Sequence, residues 1–172
     1  MKFKGRMWIF PEKNINTDQI FPGKYTYDPL TPEQMATHAM EDYLPSFVKE
    51  VKKGDIIVAG QNFGSGSSRE QAVICLKAAG VSAVVSVSFG RIYYRNAINQ
   101  AFPLIQSPEA TKYIIDNKET LKDEELTIDL VQGIISIGDK TFRFPPLDGE
   151  ALNIFTSGGL VEYTKMKLQE NK

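Results

Sequence analysis

The stretch "DIIVAGQNFGSGSSREQAVICLKAAGVSAVVSVS", residues 55–88, decides the fold class. Its two ends, "DIIVAG" (55–60) and "SAVVSVS" (82–88), are short β-branched runs of the kind that form buried strands. Between them lie a loop rich in glycine and serine and the segment "SREQAVICLKAAG", which reads as a helix. Strand, glycine loop, helix and strand make a βαβ unit, which favours a parallel pair with a right-handed crossover. Outward from this unit, the alternating polarity of "MKFKGRMWIF" predicts a strand over 2–10. Thr31 as N-cap, Pro32 and Gln34 open a helix over 32–43. Further helices are expected over 45–52, 90–101 and 108–119, with one over 149–157 ended by Gly158 and Gly159, and two or three hairpin-like strands within 125–144. The class is therefore α/β, mixed rather than doubly wound.

A chain of 172 residues suits a single domain over 1–172, large enough to bury its own core. The formal net charge of −1, with both signs scattered, leaves no electrostatic footprint for nucleic acid or an acidic membrane. The N-terminus lacks the apolar run of a signal peptide, and no stretch approaches the roughly 20 apolar residues of a membrane span. The expected compartment is the cytoplasm. The tail "EYTKMKLQENK" reads as a solvated terminus. One cysteine and one histidine exclude an intrachain disulfide, and they are too few ligands for a zinc or iron–sulfur site, so no bound metal is expected. "PEKNINTDQIFPGKYTYDPLTP" (11–32) is a 22-residue stretch with four prolines and little periodicity, which points to function or a partner rather than mere connection. Ile15, Ile20, Phe21, Tyr25 and Tyr27 make it more apolar than a disordered linker.

The glycine loop has the chemistry of an anion site. The first N–H groups of a helix lack intrahelical partners and carry partial positive charge, and glycines let a ligand approach the backbone. Ser67 and Ser68 can cap the helix or bind the ligand, and Arg69 offers a fork of donors matched to a carboxylate. The spacing is that of neither a P-loop nor a dinucleotide fingerprint, so a carboxylate is favoured over a phosphate. A cation in a first turn is unfavourable by a few tenths of a kcal/mol, which a bound anion would offset. A helix terminus and a guanidinium also favour a serine alkoxide, which makes Ser67 a candidate general base. The alternative is a plain glycine-rich turn with a serine N-cap.

"NFGSGSSRE" (62–70), "NTDQIFPGKY" (16–25) and "FGRIYYRNAINQAFPL" (89–104) resemble the small subunits of 3-isopropylmalate dehydratase, which are related to the aconitase swivel domain and to the homoaconitase small subunit. The resemblance covers residues 1–165. It implies a swivelling β/β/α fold of the aconitase C-terminal type and a hydro-lyase that interconverts 2- and 3-isopropylmalate in leucine biosynthesis. It also implies a large-subunit partner that carries a [4Fe–4S] cluster, in a heterodimer or heterotetramer, with no activity of this chain alone. Carried over, Ser67 is the base, with Asp18 close to it, and Ser68 and Arg69 bind a substrate carboxylate; Asp18 could equally be an Asx turn residue.

Within the region 14–31, the stretch Lys24, Tyr25, Thr26 and Tyr27 falls on the substrate-discriminating loop. An aromatic wall there suits an alkyl group better than a second charge, although the long Lys24 side chain could reach an acid. Alternatives are a related substrate (a dimethylmalate, methylmalate or citraconate, or homoaconitate) or a non-catalytic carboxylate-binding module. Gln71 stands where many relatives have histidine and is expected to act as a supporting hydrogen-bond group. Cys75 falls with Ala72, Leu76 and Ala79 on an apolar helix face and reads as core. His38 reads as a surface histidine, Arg91 and Arg95 as surface, structural or partner-facing cations, and Trp8 as core or interface.

Overall fold

The alternating first ten residues form the strand that organises the sheet, β1 (Lys2–Phe10). In the computed structural model, which describes residues 1–170, the strands that follow are β2 (Ile56–Ala59), β3 (Ala83–Ser86), β4 (Leu104–Gln106), β5 (Glu125–Asp129), β6 (Ile134–Ile137) and β7 (Lys140–Arg143). The helices are α1 (Thr17–Ile20), α2 (Pro32–Ala36), α3 (Phe47–Glu50), α4 (Gln71–Ala78), α5 (Arg91–Asn99), α6 (Pro108–Asp116), α7 (Lys118–Leu121), α8 (Gly149–Thr156) and α9 (Leu160–Glu170). The strands make one seven-stranded sheet in the order β4-β3-β2-β1-β5-β6-β7. Met7–Phe10 of β1 pairs in parallel with β2, and β3 and β4 continue in parallel. Lys2–Arg6 of the same strand pairs with β5 in the antiparallel sense, and β6 and β7 extend that half as hairpins. One long strand thus joins a βαβ half to a hairpin half, the mixed class that the sequence implies. Gly5 sits near the changeover, where a Cβ would fall 2.0 Å from the Gly54 carbonyl oxygen, so the two backbones meet only because residue 5 has no side chain.

Strands β2 and β3 are buried at every position because helices cover both faces of this half of the sheet. Ile57, Ala59 and Val84 pack with Ala72, Cys75 and Leu76 of α4 and with Tyr93 and Ala97 of α5. Ile56, Val58, Ala83 and Val85 pack on the other face with Ala110 and Ile114 of α6. Asp55, just before β2, ties the two halves of β1 to the turn: its Oδ2 accepts from Arg6 Nη2 at 2.7 Å, Trp8 Nε1 at 2.8 Å and the Lys52 N–H at 2.9 Å. Trp8 also packs edge-on against Phe47, with ring centroids 4.7 Å apart.

Several elements depart from the expectation. The helix expected over 32–43 has the Thr31–Gln34 capping box but stops at Ala36. Met40 is pulled out of helical geometry, with φ 59°, where its N–H bonds the Ile20 carbonyl at 2.8 Å. The helix expected over 108–119 divides at Asn117 into α6 and α7. Strand β4 and helices α1 and α9 were not anticipated. The tail expected to be a solvated terminus is helical as far as Glu170, and its last two residues lie outside the described ones. The stretch 14–31 holds α1, closed by a reciprocal Asn16–Gln19 capping box, and a 3₁₀ turn over Gly23–Tyr25. Ile15, Ile20 and Phe21 anchor it, fully buried against α4.

Candidate active site

The three motifs singled out in the sequence converge. The chain at 14–17 zips onto the glycine loop through Asn14 N–H to Gln61 O, Gly64 N–H to Ile15 O and Thr17 N–H to Ser65 O, each 2.8 Å. Gly64, at φ 76°, lies so close to Tyr93 of α5 that a Cβ would meet the ring at 2.3 Å. Asn96, a turn further along α5, donates from Nδ2 to the Ser68 carbonyl at 3.0 Å. Gly66, at φ 103°, then turns the chain so that Ser67 meets α1.

Ser67 is the hub. Its N–H donates to Thr17 Oγ1 at 3.0 Å, and the two hydroxyl oxygens are 2.9 Å apart. Arg69 Nε donates to Ser67 Oγ at 2.8 Å. Arg69 Nη1 donates to Thr26 Oγ1 at 2.9 Å and Nη2 pairs with Asp18 Oδ1. The guanidinium, with its side chain only 12% exposed, is therefore aimed by Ser67, Thr26 and Asp18 together. Gly23 leaves room for this, since a Cβ there would lie 2.9 Å from Asp18 Oδ1. Gln71 supports the same loop, donating from Nε2 to the Thr26 carbonyl at 3.3 Å. Ser67 and Ser68 are exposed, and the Ser68 hydroxyl has no partner among the described residues. A guanidinium N–H aimed at one hydroxyl oxygen, with a second hydroxyl beside it, can favour its deprotonated form, and the adjacent cation with an open serine can hold a carboxylate.

The geometry also corrects parts of the sequence reading. Helix α4 begins at Gln71, with Glu70 as an N-cap whose side chain makes no capping bond. Ser67 and Ser68 are thus not caps and Arg69 is not in the first turn. The Arg69 charge is met by Asp18, so the argument that a bound anion must offset it loses its premise. Asn16, not Asp18, provides the cap of α1. Asp18 reaches Ser67 only through Arg69, whereas the direct neighbour is Thr17, which sequence reasoning passed over. Its one signal was a β-branched hydroxyl residue next to the asparagine cap.

In the 24–27 stretch only Thr26 faces Arg69. Lys24 Nζ and the Tyr25 hydroxyl turn away to Glu41, at 2.7 Å and 3.2 Å, while Tyr27 projects into solvent, 95% exposed. His38 is not a free surface histidine: it stacks on Tyr25 at 3.9 Å between centroids, with Nδ1 2.6 Å from Glu41 Oε2. Arg91 and Arg95 are exposed and form no ion pair among the described residues. Cys75 is fully buried, and burial pushes its thiol well above the ordinary range.

The described residues contain no group of three His, Cys, Asp or Glu placed to hold a metal ion, and the single buried thiol is no donor set for an iron–sulfur cluster. No helix among the described residues is long and apolar enough to cross a membrane. A cavity of about 600 Å³ lies elsewhere, lined by apolar residues including Phe102, Leu130, Phe144 and Phe155. Ser67 and Ser68, both exposed, do not line it.

Fold and site together define a swivelling domain of the aconitase type: residues 2–110 match the family described as the aconitase C-terminal domain. The chain belongs to that family and, within it, groups with the small subunits of 3-isopropylmalate dehydratase. It is 46% identical to the small subunit from Aquifex aeolicus, over 98% of this chain and 97% of that protein. Against small subunit 1 from Thermotoga maritima it is 44% identical, over 94% of each. The crystal structure of 3-isopropylmalate dehydratase from Methanocaldococcus jannaschii superposes with a TM-score of 0.86 at 39% identity, covering 99% of this chain and 98% of that one.

Proposed function

We propose that this chain is the small subunit of a two-subunit hydro-lyase that interconverts 2-isopropylmalate and 3-isopropylmalate by dehydration and rehydration, in the leucine pathway of the cytoplasm. Ser67 takes the proton from the carbon next to a substrate carboxylate and returns one on rehydration. Arg69 and Ser68 hold that carboxylate, and Asp18 and Thr26 aim Arg69. A large subunit carrying a [4Fe–4S] cluster would supply the Lewis-acid chemistry for loss of the substrate hydroxyl. The donor set of this chain does not suit such a cluster, which is why the cluster is assigned to the partner.

The observation that supports the base most directly is the pair of contacts on Ser67 Oγ, 2.8 Å from Arg69 Nε and 2.9 Å from Thr17 Oγ1. A serine hydroxyl is a weak base precursor in water, and the Arg69 N–H aimed at its oxygen lowers the cost of ionising it, as does the Thr17 hydroxyl when it donates. The open position of the loop suits a site that a second subunit closes against water.

The test is anaerobic assembly with an iron–sulfur large subunit, followed by steady-state kinetics on 2-isopropylmalate. Ser67→Ala is expected to lower kcat by about 10²- to 10⁴-fold, the usual contribution of general acid–base catalysis, with KM little changed. Unchanged turnover would remove Ser67 from the chemistry. Turnover of a methylmalate but not of 2-isopropylmalate would move the substrate while leaving the reaction type in place.

A further inference from the structure

Helix α5 follows the glycine loop along one of its faces. Tyr93, Asn96 and the C-cap residue Gln100 stand at i, i+3 and i+7, so their side chains leave the helix on the same side. Each meets a different point of the loop. Tyr93 lies against Gly64, Asn96 Nδ2 donates to the Ser68 carbonyl at 3.0 Å, and Gln100 Nε2 donates to Glu70 Oε1 at 2.8 Å. The Gln100 carbonyl accepts in turn from Lys77 Nζ of α4 at 2.5 Å. Arg69 is thereby bracketed, with the residue before it tied to Asn96 and the residue after it tied to Gln100. No backbone N–H among the described residues reaches the Ser68 carbonyl, and the Asn96 amide is its donor. Ser67 is held by a different element, Thr17 of α1.

We propose that Asn96 is a positioning residue for the carboxylate clamp, supported by Gln100: α5 fixes the chain on either side of Arg69, so that the Ser68 hydroxyl and the guanidinium meet one substrate carboxylate. The inference rests on the hydro-lyase reading above. The Ser68 carbonyl belongs to the planar peptide unit that leads into Arg69, so holding its oxygen fixes the direction of both residues at once. This matters most for Ser68, whose exposed hydroxyl has no partner of its own and takes its direction from the backbone. A clamp ordered in advance binds more tightly, because the cost of ordering it falls on folding rather than on association. The two helices therefore divide the loop: α1 holds the base and α5 holds the clamp.

That division predicts a split in the kinetics. Asn96→Leu keeps the branched shape of the side chain and removes the donor, at a half-buried position that tolerates the change. In the assembled two-subunit enzyme, this variant is expected to raise KM for 2-isopropylmalate about tenfold, the effect of one lost hydrogen bond, with kcat within about threefold of wild type. Gln100→Met, which removes the tie on the other side of Arg69, is expected to raise KM about threefold, again with kcat little changed. The pattern is the reverse of that expected for Ser67→Ala. An unchanged KM in Asn96→Leu, or a fall in kcat with KM unchanged, overturns the proposal.

Nitrogen-15 relaxation of the full chain tests Asn96 without turnover. In wild type the amides of residues 67–69 are expected to show order parameters of about 0.85, the value of rigid backbone. In Asn96→Leu those of Ser68 and Arg69 are expected to fall below about 0.6, while that of Ser67, still bonded to Thr17, stays high. A wild-type complex inactive on 2-isopropylmalate would count against the proposed function alone. Order parameters at Ser68 and Arg69 that do not move in the variant overturn the role of Asn96, whatever the complex turns over.

Discussion

Thr17 and Ser67 share a short hydroxyl contact that gives Thr17 more than a packing role. Its side chain is buried, and its Oγ1 both accepts the Ser67 N–H and meets Ser67 Oγ. If the Thr17 hydroxyl donates, Ser67 Oγ receives two donors and its own hydrogen is free to leave toward substrate chemistry. Thr17→Val removes that donor and leaves the Ser67 amide without its acceptor, whereas Thr17→Ser keeps both bonds. The expected result is a fall in kcat of about 10- to 100-fold for the valine variant, the value of one or two lost hydrogen bonds at about 1.5 kcal/mol each. Near wild-type kcat is expected for the serine variant, with KM little changed in either. Steady-state kinetics of the assembled enzyme check this, and equal loss in both variants would reduce Thr17 to a packing residue. The sequence carried Ser67, Arg69 and Asp18 as site residues because hydroxyl, guanidinium and carboxylate announce their chemistry. It did not carry Thr17, because its role depends on a contact with a residue 50 positions away in the chain.

Among the elements, those legible in advance were the ones fixed by local periodicity. The alternation of β1, the unbroken apolar runs of β2 and β3, and the Thr31–Gln34 box of α2 needed no tertiary information. The helix after the glycine loop was legible but its start was not, because residues 67–69 are held by Thr17, Thr26 and Asp18 rather than by helical bonds. Strand β4 is three residues long and α9 is mostly polar, so neither carries a strong pattern. The Asp55 tie between β1 and the turn before β2 leads to a pH prediction. Burial pushes the Asp55 carboxyl up, but the bonds from Arg6, the Lys52 N–H and Trp8 outweigh it, and the net direction is down. A carboxyl whose folded-state pKa lies below its unfolded value of about 3.9 adds stability that is fully present above that value. The contribution is lost as pH falls from about 4 through the folded pKa. Asp55→Asn, which forfeits the charge-assisted bonds, is expected to lower the unfolding free energy by about 2 kcal/mol at pH 7. The gap to wild type should close as pH falls below about 4. Urea titrations of the isolated chain between about pH 2 and 7 read both quantities, and a gap independent of pH would show that the Asp55 charge is not what ties the strands.

At the scale of the whole molecule, the serine loop, α1 and the first layer of core form one packed body, and Cys75 lies inside it. The thiol donates to the Ile20 carbonyl at 3.6 Å and the Ala72 carbonyl at 3.5 Å, so it sits between α1, which carries Thr17, and α4, which follows Ser67. A thiol buried there, with its ionisation pushed up by desolvation, offers reagents neither access nor thiolate. Since it is the only cysteine of the chain, alkylation of the folded subunit must wait for an opening that separates α1 from α4. Iodoacetamide is therefore expected to label the native chain slower than the unfolded chain by at least about 10³-fold, the lower range of folded-to-unfolded ratios for small domains. Mass spectrometry with and without denaturant measures it. The same burial separates the subunits functionally. If alkylation inactivates the assembled enzyme, the reacting thiols belong to the large subunit, so Cys75→Ala should leave the inactivation rate unchanged. Protection by Cys75→Ala would mean that the body holding the serine loop opens in the working complex, and Ser67 would then be delivered by a moving element rather than presented on a fixed one.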